Sequence, residues 1–125
     1  MIKMDCLFCK IINGEVPSYK VYEDDIVYAF LDINPFGTGH TLIIPKKHYL
    51  NIEDIDNDTY FHIVEITKKL ALEYKDKLHM DGYSICQNNG CAQEIKHFHM
   101  HLIPKYENEK KLSIEEVYNI LKENR

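Results

Sequence analysis

The stretch His97-Phe98-His99-Met100-His101-Leu102-Ile103 decides the reading of this chain, because it alternates histidine with apolar residues. A period of two is the pattern of a β-strand whose successive side chains point to opposite faces. The three imidazoles then share one face, and Phe98, Met100 and Leu102 look the other way into a core. At about 3.3 Å of rise per residue, the outer histidines start roughly 13 Å apart, too far for both to hold one ion through bonds of about 2 Å. A single metal can take a neighbouring pair at most. The remaining imidazole is free for nucleophilic or general acid-base work, since histidine titrates near neutrality. The plainer alternative is a His-x-His metal chelate with the third histidine a satisfied surface residue.

Upstream, Asn89 to Ala92 forms a tight loop, and Tyr83 to Asn88 reads as the strand before it. Tyr60, Ile63, Thr67, Leu70, Tyr74 and Leu78 recur at steps of three or four, which predicts one amphipathic helix over Asp58 to Leu78. Lys20 to Glu23 and Ile26 to Asp32 are β-favouring runs split by Asp24-Asp25, a hairpin pattern. The turn-rich Asn34-Pro35-Phe36-Gly37-Thr38-Gly39 leads into a strand from His40 to Ile44, stopped by Pro45. Leu7 to Asn13 is a short helix closed by Gly14, and Ser113-x-x-Glu116 is a capping box opening a last helix, about 114–123. Strands joined mostly as hairpins, with helices set apart, predict an α+β fold: an antiparallel sheet of about five strands, one long helix and short terminal helices.

The 125 residues suit a single domain over 1–125, and the 45% hydrophobic content can supply an ordinary core. A formal net charge of −5 with scattered lysines and arginines gives no extended nucleic-acid surface. No run approaches the roughly 18 apolar residues of a membrane span, so a cytoplasmic protein with reduced or metal-bound thiols is expected. Cys6-x-x-Cys9 has the spacing of a zinc ligand pair; a redox pair and buried unpaired thiols are the other readings. Cys86 and Cys91 are expected to pack, and neither His62 nor His79 is a ligand candidate; His79 sits where a helix end favours it.

The alternating histidine stretch resembles the signature of the histidine triad family. Phe30-Leu31-Asp32-Ile33-Asn34-Pro35 with Gly39-His40-Thr41-Leu42-Ile43-Ile44-Pro45-Lys46-Lys47-His48 is similar to the family's first half, and Cys6-Leu7-Phe8-Cys9-Lys10-Ile11-Ile12 to its opening. The likeness spans about Cys6 to Tyr106 and is nearest to the nucleotide-binding branch. It implies a homodimer with joined sheets and a site for a purine nucleoside monophosphate or its conjugates. His99 would attack the α-phosphorus to give a nucleotidyl-histidine that water cleaves. His101 would hold phosphate oxygens or assist the leaving group, and His40 would complete the pocket. Asp32 would accept the ribose hydroxyls, while Leu7, Phe8, Ile11, Phe30 and Ile33 wall the base. Asn88 and Gln93 would stabilise the phosphoryl oxygens. His48 and His97 would join Cys6 and Cys9 around a structural zinc, and no organic cofactor is implied.

Taken singly, these residues have other readings. Asp32 before Asn34-Pro35 suits an Asx turn, His40 a strand edge, and the apolar set a plain core. The chain also departs from the family pattern. Its loop Asn88 to Gln93 is short, Ala92 replaces a glycine, and Glu94 stands where Ser or Thr is usual. A nucleoside phosphoramidase-like hydrolase is therefore expected, against a non-catalytic nucleotide-binding regulator or a zinc-stabilised interaction module.

Overall fold

The computed structural model describes residues 5–123, so the ends of the expected 1–125 span, residues 1–4 and 124–125, lie outside the described residues. The elements run α1 (Leu7–Ile12), β1 (Lys20–Glu23), β2 (Val27–Leu31), β3 (Thr41–Pro45), α2 (Asn57–Lys77), β4 (Gly82–Gln87), a 3-10 turn (Gly90–Ala92), β5 (Met100–Lys105) and α3 (Ile114–Lys122). The strands form one five-stranded sheet in the order β1-β2-β3-β5-β4, with every neighbouring pair antiparallel. The α+β architecture follows the hydrophobic patterning.

β2 and β3 are buried at every residue, because both faces of the sheet centre are covered. Val27, Ala29, Leu31 and Ile43 pack with Ile63, Leu70 and Tyr74 of α2 in the larger core. Tyr28, Phe30, Leu42 and Ile44 point the other way, onto Phe8, Cys9 and Ile11 of α1. Asp56 caps α2, its side chain accepting Thr59 N–H, and the Ser113/Glu116 capping box opens α3.

Three expectations need correction. β5 begins at Met100, not His97, because the ladder with β4 starts at Gln87↔Met100 and the Phe98 N–H is turned to Tyr49 O at 2.8 Å. The alternation survives without the ladder: Phe98, Met100 and Leu102 all lie in the larger core. Pro45 ends β3 from inside the strand; β5 pairs only with Thr41 to Ile43, so a missing N–H at Pro45 breaks no bond on that side. Cys86 and Cys91 are exposed rather than packed, since β4 is an edge strand and the 3-10 turn stands in solvent. Beyond α2, His79 takes a left-handed φ of 55°; within α2, His62 bonds Asp24 of the β1–β2 turn at 2.6 Å.

The segment leading to His40 is pinned by two glycines. A Cβ on Gly37 would meet Pro104 O at 2.6 Å, and one on Gly39, whose φ is +93°, would meet Leu78 Cδ1 at 2.7 Å. The segment therefore lies flat against the end of β5 and delivers His40 beside His101.

Candidate active site and metal centre

Backbone groups place the ring protons of His99 and His40, and His40 in turn places that of His101. His99 Nδ1–H donates to His97 O at 2.8 Å, which leaves the Nε2 lone pair free. The Phe36 N–H donates to His40 Nδ1 at 3.1 Å, so the His40 proton sits on Nε2. That Nε2–H lies 3.0 Å from His101 Nδ1, which accepts it and keeps the His101 proton on Nε2. The His99 and His101 rings meet edge to face with centroids 4.8 Å apart. Burial holds His40, His99 and His101 below the ordinary histidine range, His101 down to about 4 with the neighbouring His99 and His40 adding to the effect. All three are neutral near pH 7.

A cavity of about 210 Å³ opens beside these rings. Leu7, Phe8, Ile11, Phe30 and Ile33 line it with Asp32, His99 and His101, so eight of the expected site residues share one space. Phe8 packs edge-on to His99 with centroids 5.1 Å apart, setting the apolar wall against the imidazole. Asp32 realises the Asx reading and more: Oδ1 accepts Asn34 N–H at 2.8 Å, while Oδ2 faces His40 Nε2 at 3.7 Å. His40 is almost wholly buried and stands behind His101 rather than on the cavity wall.

Asn88 and Gln93 are not among the residues lining that cavity. The Gln93 amide donates to Leu50 O at 2.7 Å and its carbonyl oxygen accepts Gly90 N–H at 3.2 Å, which folds the short loop onto itself. Sequence reasoning also missed Val16, Leu42 and Ile95, which add to the apolar wall. Ile95 could have been found by continuing the alternation two residues back from His97.

Cys6, Cys9, His48 and His97 bring one ligand atom each into a single cluster. The separations are 3.4 Å for Cys6 Sγ to His97 Nδ1, 3.3 Å for Cys9 Sγ to His48 Nδ1 and 3.6 Å for Cys9 Sγ to His97 Nδ1. Tetrahedral zinc with its usual bond lengths spaces sulfur and nitrogen ligands by roughly 3.6 Å, so the donor set fits such an ion. His97 Nε2–H donates to Pro45 O at 2.8 Å, which orients Nδ1 toward the cysteines as a metal-ligating imidazole requires. Burial pushes the Cys6 thiol up, and a thiolate there needs a compensating cation.

Asp32, His40 and His101 form a second close trio, but its chemistry differs. His40 Nδ1 is already an acceptor for Phe36, so the nitrogen facing the trio carries the proton and offers no lone pair to a metal. Within the trio the hydrogen bond is that from His40 to His101, and Asp32 stands beside it at 3.7 Å.

The HIT domain profile matches residues 13–108. A HIT-like protein of Methanocaldococcus jannaschii is 51% identical over 104 residues, covering 82% of this chain and 80% of its own length. An adenosine 5′-monophosphoramidase of Saccharomyces cerevisiae is 47% identical over 102 residues, covering 80% of this chain and 62% of the yeast protein. A zinc-bound histidine triad family protein of Mycobacterium smegmatis has a TM-score of 0.88 at 33% identity, over 94% of this chain and 91% of that one. Among the described residues no helix is long and apolar enough to cross a membrane.

Proposed function

Because this chain belongs to the HIT family, we propose that it hydrolyses or transfers at the α-phosphate of a nucleoside phosphoramidate or related nucleotide conjugate through a nucleotidyl-histidine. The observation that carries this reading is the His99 tautomer: Nδ1–H is held by His97 O, and the unprotonated Nε2 belongs to a ring that lines the apolar cavity with Asp32. In the first step Nε2 bonds to phosphorus and the P–N bond breaks. The departing nitrogen keeps the bonding pair and takes a proton from water. Water then attacks phosphorus, its proton goes to solvent, and the P–Nε2 pair returns to His99.

The other residues take roles consistent with their contacts. His101, with its proton on Nε2, donates to a phosphoryl oxygen, and His40 positions it by donating to Nδ1. Asp32 receives the ribose hydroxyls, and Leu7, Phe8, Ile11, Phe30 and Ile33 hold a purine. Asn88 and Gln93 reach a phosphate only if the loop rearranges on binding. The Cys6, Cys9, His48 and His97 site holds zinc, which supplies folding energy by tying α1 to the sheet and takes no part in turnover.

A homodimer joined along β4 completes the reading. Ile85 and Tyr83 on that edge strand are 48% and 43% exposed, and Phe61 of α2 is 58% exposed, apolar area that an isologous partner would cover. The yeast relative's monophosphoramidase activity supports the substrate class. The turned-away Gln93 amide favours a second reading, a nucleotide-binding protein without turnover.

Initial rates on a fluorogenic adenosine 5′-phosphoramidate separate the two. Turnover by the wild type, lost in a folded His99→Asn variant that still binds AMP, is the expected result. A folded wild type that binds AMP and releases no fluorophore would establish the binding protein instead.

A further inference from the structure

The cavity wall carries two carboxylates, Asp32 and Glu94, beside His99 and His101, and no lysine or arginine among the described residues lining it. Asp32 is engaged by Asn34 N–H and faces His40. Glu94 is exposed on the cavity wall, and its carboxylate has no hydrogen bond or ion pair among the described residues. The cation nearest in sequence does not compensate it: Lys96 Nζ is held by Gly90 O at 2.6 Å and by Gln93 O at 3.2 Å.

We propose that Glu94 determines which leaving groups this site accepts, favouring amines that carry a further positive charge over those that carry a carboxylate or phosphate. The inference rests on the phosphoramidase reading above and names the substrate class within it. In both steps a group passes between the α-phosphate and solvent, and Glu94 is an exposed carboxylate on the wall of the cavity that His99 lines. An anion there attracts an ammonium and repels a second anion, while a neutral leaving group is indifferent to it. The field is partly screened by water, so the cationic to anionic preference in kcat/KM is about threefold to tenfold and shrinks with added salt. The same charge leaves nucleotides with extended polyphosphate chains as poor substrates. Glu94 is a specificity-determining residue here, with no bond to make or break.

The test compares three adenosine 5′-phosphoramidates of equal chain length, ending in an ammonium, a methyl group or a carboxylate. Each is assayed with the zinc-loaded full chain, wild type, Glu94→Gln and Glu94→Lys. The expected result is a preference for the ammonium compound in the wild type, loss of preference in Glu94→Gln and its inversion in Glu94→Lys. Turnover of all three with a ratio that both substitutions leave unchanged overturns the assignment of Glu94 and leaves the phosphoramidase reading standing. Turnover of none by a folded wild type overturns that reading and this one together. Because the side chain is exposed and unpaired, neither variant removes a fold contact, and a ratio within one protein cancels any common loss of activity.

Discussion

His40 hands its only ring proton to His101: its Nε2 lies 3.0 Å from His101 Nδ1, and the Phe36 N–H behind it fixes the direction of the bond. His101 can then point its own N–H only through Nε2. A buried residue outside the cavity wall thus decides which atom of a cavity residue is a donor.

Replacing His40 by alanine should therefore damage catalysis and stability together. The Phe36 N–H and the half-buried His101 Nδ1 lose their partner, a cost of about 1 kcal/mol. With the donor tautomer no longer enforced, kcat should fall about 100-fold while KM for the nucleotide changes little. Urea unfolding and steady-state kinetics check this, and an unchanged kcat in a folded variant would remove His40 from that role.

The same rings predict how stability responds to acid. His40 and His101 have folded pKa values below the ordinary 6.5, His101 at about 4, so the unfolded chain takes up protons first as pH falls. The stability they contribute is complete above about pH 6.5 and drains away toward pH 4. Urea midpoints measured across that interval should decline, with a shallower slope in His101→Gln. Midpoints that stay level between pH 7 and 5 would count against the buried neutral rings.

Removing zinc should loosen α1 before anything else. At a thousandfold excess over its Kd, an ion bound only by the folded chain adds about 4 kcal/mol. Chelation should then lower Tm on the order of 10 °C for a domain of this size. Zinc should restore the wild type and leave Cys9→Ser unmoved. Atomic absorption alongside calorimetry gives the stoichiometry, and a Tm indifferent to chelator would sink the assignment.

A charge on the free sheet edge reports on assembly. Ile85→Lys places an ammonium on β4 where the partner's strand would lie, at no cost to the isolated subunit, since the side chain is already half in water. Sedimentation equilibrium should give a dimer for the wild type and a monomer for the variant. A monomeric wild type would end the homodimer proposal.

Much of this was legible in the sequence because its patterns are local. The period-two runs around Tyr28 and Ile43 and the steps from Ile63 to Tyr74 each name the faces they bury. What escaped depended on partners far along the chain. Nothing near His97 reveals that Tyr49 takes the Phe98 N–H and that the ladder therefore starts at Met100. Nothing near Cys86 reveals that β4 ends up at the edge of the sheet. Gln93 shows the limit most plainly: nothing in its neighbourhood reveals that its amide donates to Leu50 O, whose place across the loop only the folded chain discloses.

The two glycines ahead of His40 carry a consequence for mutational tolerance. Neither lines the cavity beside His99, but any side chain at 37 would drive into the Pro104 carbonyl, and one at 39 would drive into Leu78 while holding a left-handed backbone. Every single-base missense change in a glycine codon adds at least a methyl group. In a randomised library sorted for activity, columns 37 and 39 should empty as completely as the column of His99 itself, though for want of space and not of chemistry.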